Sequence, residues 1–168
     1  MRSLFALIAA IGAAFWTYEI WKGQTMTDQE KDDMAVDIPA RTLWGEARNQ
    51  GRTGMEAVAS AVLNRVKVAQ RRGGYWWGNT VTEVCLKEYQ FSCWNANDPN
   101  RPLLDLVDAS DSVFRVALDI AQDAVSGDLT STVGSATHYH TKAVSPSWKD
   151  AGTHVASLGD HDFYTGIA

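Results

Sequence analysis

Glu46 lies in the run Leu43-Trp44-Gly45-Glu46-Ala47-Arg48, one carboxyl among apolar side chains. A carboxyl half sunk against Leu43 and Trp44 loses hydration of its charged form, and a protonated carboxylic acid can give its proton to a glycosidic oxygen. The same setting also suits an ordinary surface glutamate on an amphipathic helix. A second group is rich in histidine: His138 and His140 flank Tyr139, and His154 and His161 follow. On a strand His138 and His140 point to one face. There, with a third histidine, they would suit zinc and peptide cleavage, or else polar contacts to a substrate or to the protein. No HExxH helix or Cys/His knuckle accompanies them, so no metal and no cofactor is assigned. Nucleophilic catalysis lacks the Gly-x-Ser-x-Gly signature. Cys85 and Cys93 read as a disulfide of an exported chain, whose closed loop would add about 2–3 kcal/mol on the chain-entropy estimate. The alternative is two reduced cysteines packed as small hydrophobes.

The elements that must position these residues follow from periodicity. Asp37 is placed to cap a helix whose first turn takes Pro39, with Ala40, Leu43, Trp44 and Ala47 as its buried stripe. Glu46 falls about 60° from Leu43, at the edge of that stripe. Thr53-Gly54-Met55-Glu56 has the capping-box pattern of a second helix, which buries Met55, Val58, Ala59, Val62 and Val66 and stops at Gly73-Gly74. Residues 75–100 read as a loop-rich stretch of aromatics and amides holding the cysteine pair, and long irregular segments in small domains are commonly functional. A third helix spans Ser110 to Ser126 and ends at Gly127. The stretch from Ser135 to Tyr164 has short β-prone pieces and reads as a small sheet with loops. The expected fold is therefore α+β and mainly helical, a single domain with a small β-sheet.

Size and charge bound the function. A chain of 168 residues with 45% apolar content builds one core. The formal net charge of −5 leaves no basic face for nucleic acid, which is excluded as a partner. Seven tryptophans suit both a core and the stacking of sugar rings. No internal repeat is present, and a monomer is expected.

The N-terminus has its own character. Arg2 precedes an apolar run from Leu4 to Trp16, and Glu19 interrupts the continuation to Trp21. This reads as an export signal that falls short of the roughly 20 apolar residues of a stable span. A retained signal anchor over residues 1–22 is expected, holding the inner membrane weakly through residues 4–21 and followed by a polar tether over 23–36 and a catalytic domain over 37–168. Other readings are a removed signal peptide, an amphipathic helix packed on the domain, or an extension upstream of a start at Met26.

Several ordered motifs together resemble the SleB-type cell wall hydrolase family, which includes spore-cortex-lytic enzymes and phage and bacterial lysins. They are Ala40-Arg41-Thr42-Leu43-Trp44-Gly45-Glu46-Ala47-Arg48, then Gly54 with Ala57-Val58-Ala59, and Val62-Leu63-Asn64-Arg65-Val66. Gln90-Phe91-Ser92-Cys93-Trp94, Ala136-Thr137-His138-Tyr139-His140, Ser147-Trp148 and His161-Asp162-Phe163-Tyr164 complete the series. The resemblance implies a lysozyme-like or lytic-transglycosylase-like fold acting on peptidoglycan between N-acetylmuramic acid and N-acetylglucosamine. It implies Glu46 as the catalytic acid and Tyr139 as the second catalytic residue. Gln90, Trp94, His138 and His140 become groove residues, and Trp148 a stacking platform or a core tryptophan. A single-acid mechanism would leave a 1,6-anhydromuramic end, whereas hydrolysis would need a group to handle water. After Glu46 the chain reads Arg48-Asn49-Gln50-Gly51, where the spore enzymes carry an acidic residue and a proline, so vegetative wall is expected over cortex. The weak anchor points to an exported phage-type endolysin, released into the periplasm when the membrane potential collapses. A bacterial wall-remodelling or germination enzyme and a noncatalytic peptidoglycan-binding module are the competing readings.

Overall fold

The computed structural model describes residues 27–167. The expected signal anchor, residues 1–22, and the first residues of the expected tether lie outside this range. Helix α1 runs Asp28–Ala47 and starts at a reciprocal capping box, in which Thr27 Oγ1 accepts the Glu30 N–H at 3.2 Å and the Glu30 carboxylate accepts the Thr27 N–H at 2.8 Å. The helix thus begins nine residues before the expected start at Asp37, and 28–36 is its polar first half. Pro39 lies inside α1, where it supplies no N–H to the Ala35 carbonyl. Asp37 holds Arg41 at 2.7 Å instead of capping. Arg41 is buried, donates to the carbonyls of Leu104 and Val107, and lies 5.3 Å over the Phe114 ring. These contacts fasten α1 to the segments packed across it.

A 3-10 turn, Arg48–Gln50, joins α1 to α2, Gly51–Arg72. Thr53 lies inside α2 rather than at its cap, and Glu56 pairs with Arg52 at 3.4 Å. Helix α2 ends at Gly73, whose φ of 68° is left-handed, as the glycine pair required. Residues 75–100 carry more regular structure than expected: a short α3, Val81–Cys85, and a 3-10 turn, Ser92–Trp94. Helix α4, Arg101–Leu106, follows. Helix α5, Ser112–Ser126, is capped by Asp111 and closed by Gly127 at φ 88°, within two residues of the expected bounds.

The C-terminal third forms an antiparallel sheet in the order β1-β3-β2, with β1 His138–Thr141, β2 Thr153–Leu158 and β3 His161–Thr165. Register fixes its two faces. Tyr139 opposes Phe163 and Thr141 opposes His161, while His138 opposes Tyr164 and His140 opposes Asp162. Tyr139, His161 and Phe163 therefore share the inner face with Ala156 and Leu158, and His138, His140, Asp162 and Tyr164 share the outer face with His154 and Ser157.

Two apolar clusters hold these parts. The larger joins Ile38, Leu43 and Trp44 of α1 with Met55, Val58 and Val62 of α2, and with Phe114, Ala117 and Ile120 of α5. The smaller packs Phe163 against Ala57 and Ala61 on the other side of α2. Tyr139 packs against both. Among the described residues no helix is long and apolar enough to cross a membrane.

Candidate active site

Glu46 occupies the last turn of α1, half-buried, one residue after Gly45. Gly45 lets the Ser92–Trp94 turn lie directly on the helix: a Cβ there would meet Cys93 Cβ at 2.6 Å and Cys93 Sγ at 2.9 Å. The opening N–H groups of such a turn have no partner within it. The Cys93 N–H accordingly donates to Glu46 Oε1 at 3.0 Å, and the Ser92 hydroxyl adds a longer bond of 3.4 Å to the same oxygen. From the opposite side the Tyr139 hydroxyl donates to Glu46 Oε2 at 3.2 Å. One carboxyl is thus held at both oxygens by donors from two distant segments.

The protein fixes those donors. Trp94, buried, donates its indole N–H to Thr42 Oγ1 at 2.9 Å and clamps the Ser92–Trp94 turn to α1. Asn64 Nδ2 donates to the carbonyls of Gly134 and Ala136 at 2.9 and 2.8 Å, and Arg65 Nε donates to that of Thr137 at 2.6 Å. Both side chains come from α2 and set the path of the chain entering β1, which is what aims Tyr139. Arg65 is buried against the rings of Trp77 and Phe91, 5.8 and 5.5 Å away, with no carboxylate partner among the described residues. Burial pushes its pKa down, and the electrostatics of Tyr139 and Cys85 oppose that.

Burial keeps the Tyr139 phenol and both thiols protonated. Burial first, and the Glu46 charge second, push the Tyr139 phenol well above its usual range, while Arg65 pulls it back. Burial and Glu46 likewise push the Cys93 thiol up, and burial pushes the Cys85 thiol up to about 12. The expected disulfide is not formed: both cysteines are free and buried. Cys93 is committed to the contact with Gly45 and Glu46, and Cys85 packs in the α1–α2 core at the end of α3, so each serves as a small core residue.

The residues that the sequence grouped into one groove separate here. Tyr139 meets Glu46 on the inner face of the sheet, whereas His138 and His140 stand on the outer face around Trp148, at 5.4 and 5.6 Å between ring centroids. Tyr164 completes that outer cluster, its hydroxyl 3.2 Å from His140 Nε2 and its ring 5.7 Å from Trp148. Burial, then the Arg65 charge, pushes the His138 pKa down to about 4. Gln90 is half-buried in the turn that leads to Phe91. Among the described residues no three His, Cys, Asp or Glu side chains gather as a metal site would require. Sequence reasoning missed Ser92 and the Cys93 amide as partners of the acid. Their signal was the Gln90–Trp94 motif, but a backbone N–H has no side-chain signature to mark it.

A family model described as Cell Wall Hydrolase matches residues 49–164, well over half of the chain, beginning three residues after Glu46. No curated protein matches the chain. Among solved structures, the catalytic domain of the germination-specific lytic transglycosylase SleB from Bacillus anthracis superposes with a TM-score of 0.58 at 22% identity, covering 78% of this chain and 93% of that one. The catalytic domain of the Bacillus cereus SleB protein superposes with a TM-score of 0.59 at 22% identity, over 78% of this chain and 89% of that one. The mainly helical fold with its small sheet is the fold of those domains.

Proposed function

Since the chain belongs to the cell wall hydrolase family, and is on that ground an enzyme, we propose that it cuts peptidoglycan strands between N-acetylmuramic acid and N-acetylglucosamine with Glu46 as the acid. Support comes from one arrangement: a half-buried carboxyl held at Oε1 by Cys93 N–H and at Oε2 by Tyr139 OH. Glu46 in its acid form gives its proton to the glycosidic oxygen, the bond from that oxygen to muramyl C1 breaks, and N-acetylglucosamine leaves with a 4-hydroxyl. The positive charge that develops at C1 lies beside a carboxylate already oriented by two donors.

Among the described residues the hydrogen-bond partners of Glu46 are all donors, and none is a second carboxylate. That shell favours lytic transglycosylation: the muramyl 6-hydroxyl attacks C1 and passes its proton to Glu46, forming a 1,6-anhydro ring and restoring the acid without water. One structural neighbour is itself a lytic transglycosylase. Tyr139 orients the carboxyl throughout, and the Trp148 cluster offers an aromatic surface for a sugar ring.

Mass spectrometry of fragments released from purified sacculi by residues 26–168 tests this. Anhydromuramyl ends are expected, falling about 10²–10⁴-fold in a folded Glu46→Gln protein. Reducing muramyl ends would replace transglycosylation by hydrolysis. Undiminished cleavage by Glu46→Gln would remove Glu46 from the mechanism, and binding to sacculi without new ends would make the chain a binding module.

We further infer that the protein acts as a monomeric phage-type endolysin, exported through residues 4–21, held weakly at the inner membrane and then freed into the periplasm. The short apolar run interrupted by Glu19 supports this. Tagged full-length protein is expected in the membrane fraction and, after depolarisation, in the periplasm. Recovery from the cytosol alone, or retention in the bilayer, would refute it.

A further inference from the structure

His161 opens β3 on the inner face of the sheet, 3% exposed. Its ring stands edge-on to that of Tyr139, 5.1 Å between centroids at 75°, and 6.2 Å from Phe163 at 73°. Phe163 in turn lies 5.5 Å from Tyr139. Tyr139 is therefore held by two rings of the neighbouring strand, Phe163 directly opposite and His161 one diagonal step along. The buried Nδ1 of His161 has no hydrogen-bond partner among the described residues. Its ring contacts run to Tyr139 and Phe163.

We propose that His161 is a positioning residue of this enzyme: a buried ring that fixes Tyr139 and, through the Tyr139 hydroxyl, the Oε2 side of Glu46. Three links carry it, from the imidazole to the phenol ring at 5.1 Å, from the phenol hydroxyl to Glu46 at 3.2 Å, and from Glu46 to the Cys93 amide at 3.0 Å. Without the imidazole, the Tyr139 ring keeps Phe163 and gains a void beside it where His161 stood. A hydroxyl that turns away by one bond length leaves Oε2 to water and the acid free to rotate. The direction of its pKa shift fits the role. Burial pushes His161 below its ordinary pKa, with His140 acting in the same sense, while the charges of Glu46, Asp160 and Asp162 oppose it. An imidazolium in this place would compete with the Tyr139 hydroxyl for the Glu46 carboxylate.

The inference rests on Glu46 being the acid, so one arm of its test needs no turnover. Proton NMR of the folded protein should show the Tyr139 hydroxyl as a slowly exchanging downfield signal, identified by its loss in Tyr139→Phe. The signal should vanish in His161→Ala and persist in His161→Phe, which restores a ring without nitrogens. In parallel, on a soluble glycan oligomer, His161→Ala should lower kcat about tenfold or more with KM little changed. His161→Phe should recover most of that loss, and circular dichroism should find both variants folded. A hydroxyl signal that survives His161→Ala, an equal loss in the Ala and Phe variants, or a loss confined to KM would overturn the role. If His161→Ala fails to fold, His161→Phe and His161→Leu are compared by the same signal, and loss in Phe overturns it. A wild type that releases no glycan ends refutes the assignment of the acid, and the NMR arm still decides whether His161 fixes Tyr139.

Discussion

His138 keeps its place beside Arg65 by staying neutral. Its pKa in the folded chain is about 4, against an ordinary 6.5 that the unfolded chain regains. Between those values the unfolded state binds a proton that the folded state refuses. The stabilisation is complete above pH 6.5 and is lost as the pH falls through the folded value of about 4. The melting temperature is expected to drop between pH 7 and pH 4.5, and His138→Gln to flatten the drop. An unchanged slope would mean that His138 charges freely in the fold. At this scale helical spacing placed Glu46 at the edge of an apolar stripe, half-buried as found, whereas its role as an acid came only through resemblance. Its partners were less so. Tyr139 came only through resemblance, and the Cys93 amide could not come from side-chain chemistry at all. The cysteine pair was misread because short spacing in an exported chain suits a bridge and two buried thiols equally.

The element that shapes the acid's surroundings most is the close crossing of α1 by the Ser92–Trp94 turn. Only a hydrogen at Gly45 leaves room for Cys93, whose Cβ would lie 2.6 Å from an added methyl. Gly45→Ala must push the turn outward and stretch the bond from Cys93 N–H to Glu46 Oε1. Overpacking of this kind costs about 1–3 kcal/mol, and kcat should fall further than stability alone explains. Calorimetry beside a turnover assay checks this, and full activity in a destabilised protein would show that the amide does not matter. The helices were readable where their signals were intrinsic, as with the apolar face of α2 and Gly127 at the end of α5. Their starts were missed where context overrode propensity. Asp37 looked like a cap, but the Thr27–Glu30 box upstream closes the helix first. Pro39 is tolerated inside because its neighbours Ile38 and Ala40 are buried in the core. The short α3 and the Ser92–Trp94 turn gave no periodic signal, since five and three residues are too few to show one.

Across the whole molecule, the helices and the sheet meet at a clasp. Gln50, four residues after Glu46, donates to Asp160 Oδ2 and accepts the Asp160 N–H, both at 2.8 Å, which ties the α1–α2 corner to the β2–β3 turn. Gly159, with φ 56°, is needed in that turn, because a Cβ there would meet Gln50 Oε1 at 2.1 Å. Two hydrogen bonds at an exposed site contribute about 1–3 kcal/mol together. Gln50→Ala is expected to lower the melting temperature and to inactivate the enzyme at temperatures where the helices persist. Loss of activity and loss of helicity at one temperature would show that the clasp adds nothing separate. The bond between Tyr139 and Glu46 spans 93 positions of sequence, and Tyr139 packs in both apolar clusters. An emerging chain carries Glu46 long before it carries the strand that brings Tyr139 to it. Neither segment holds the pair alone, so the Glu46 carboxyl takes its second donor only when β1 docks on the helices.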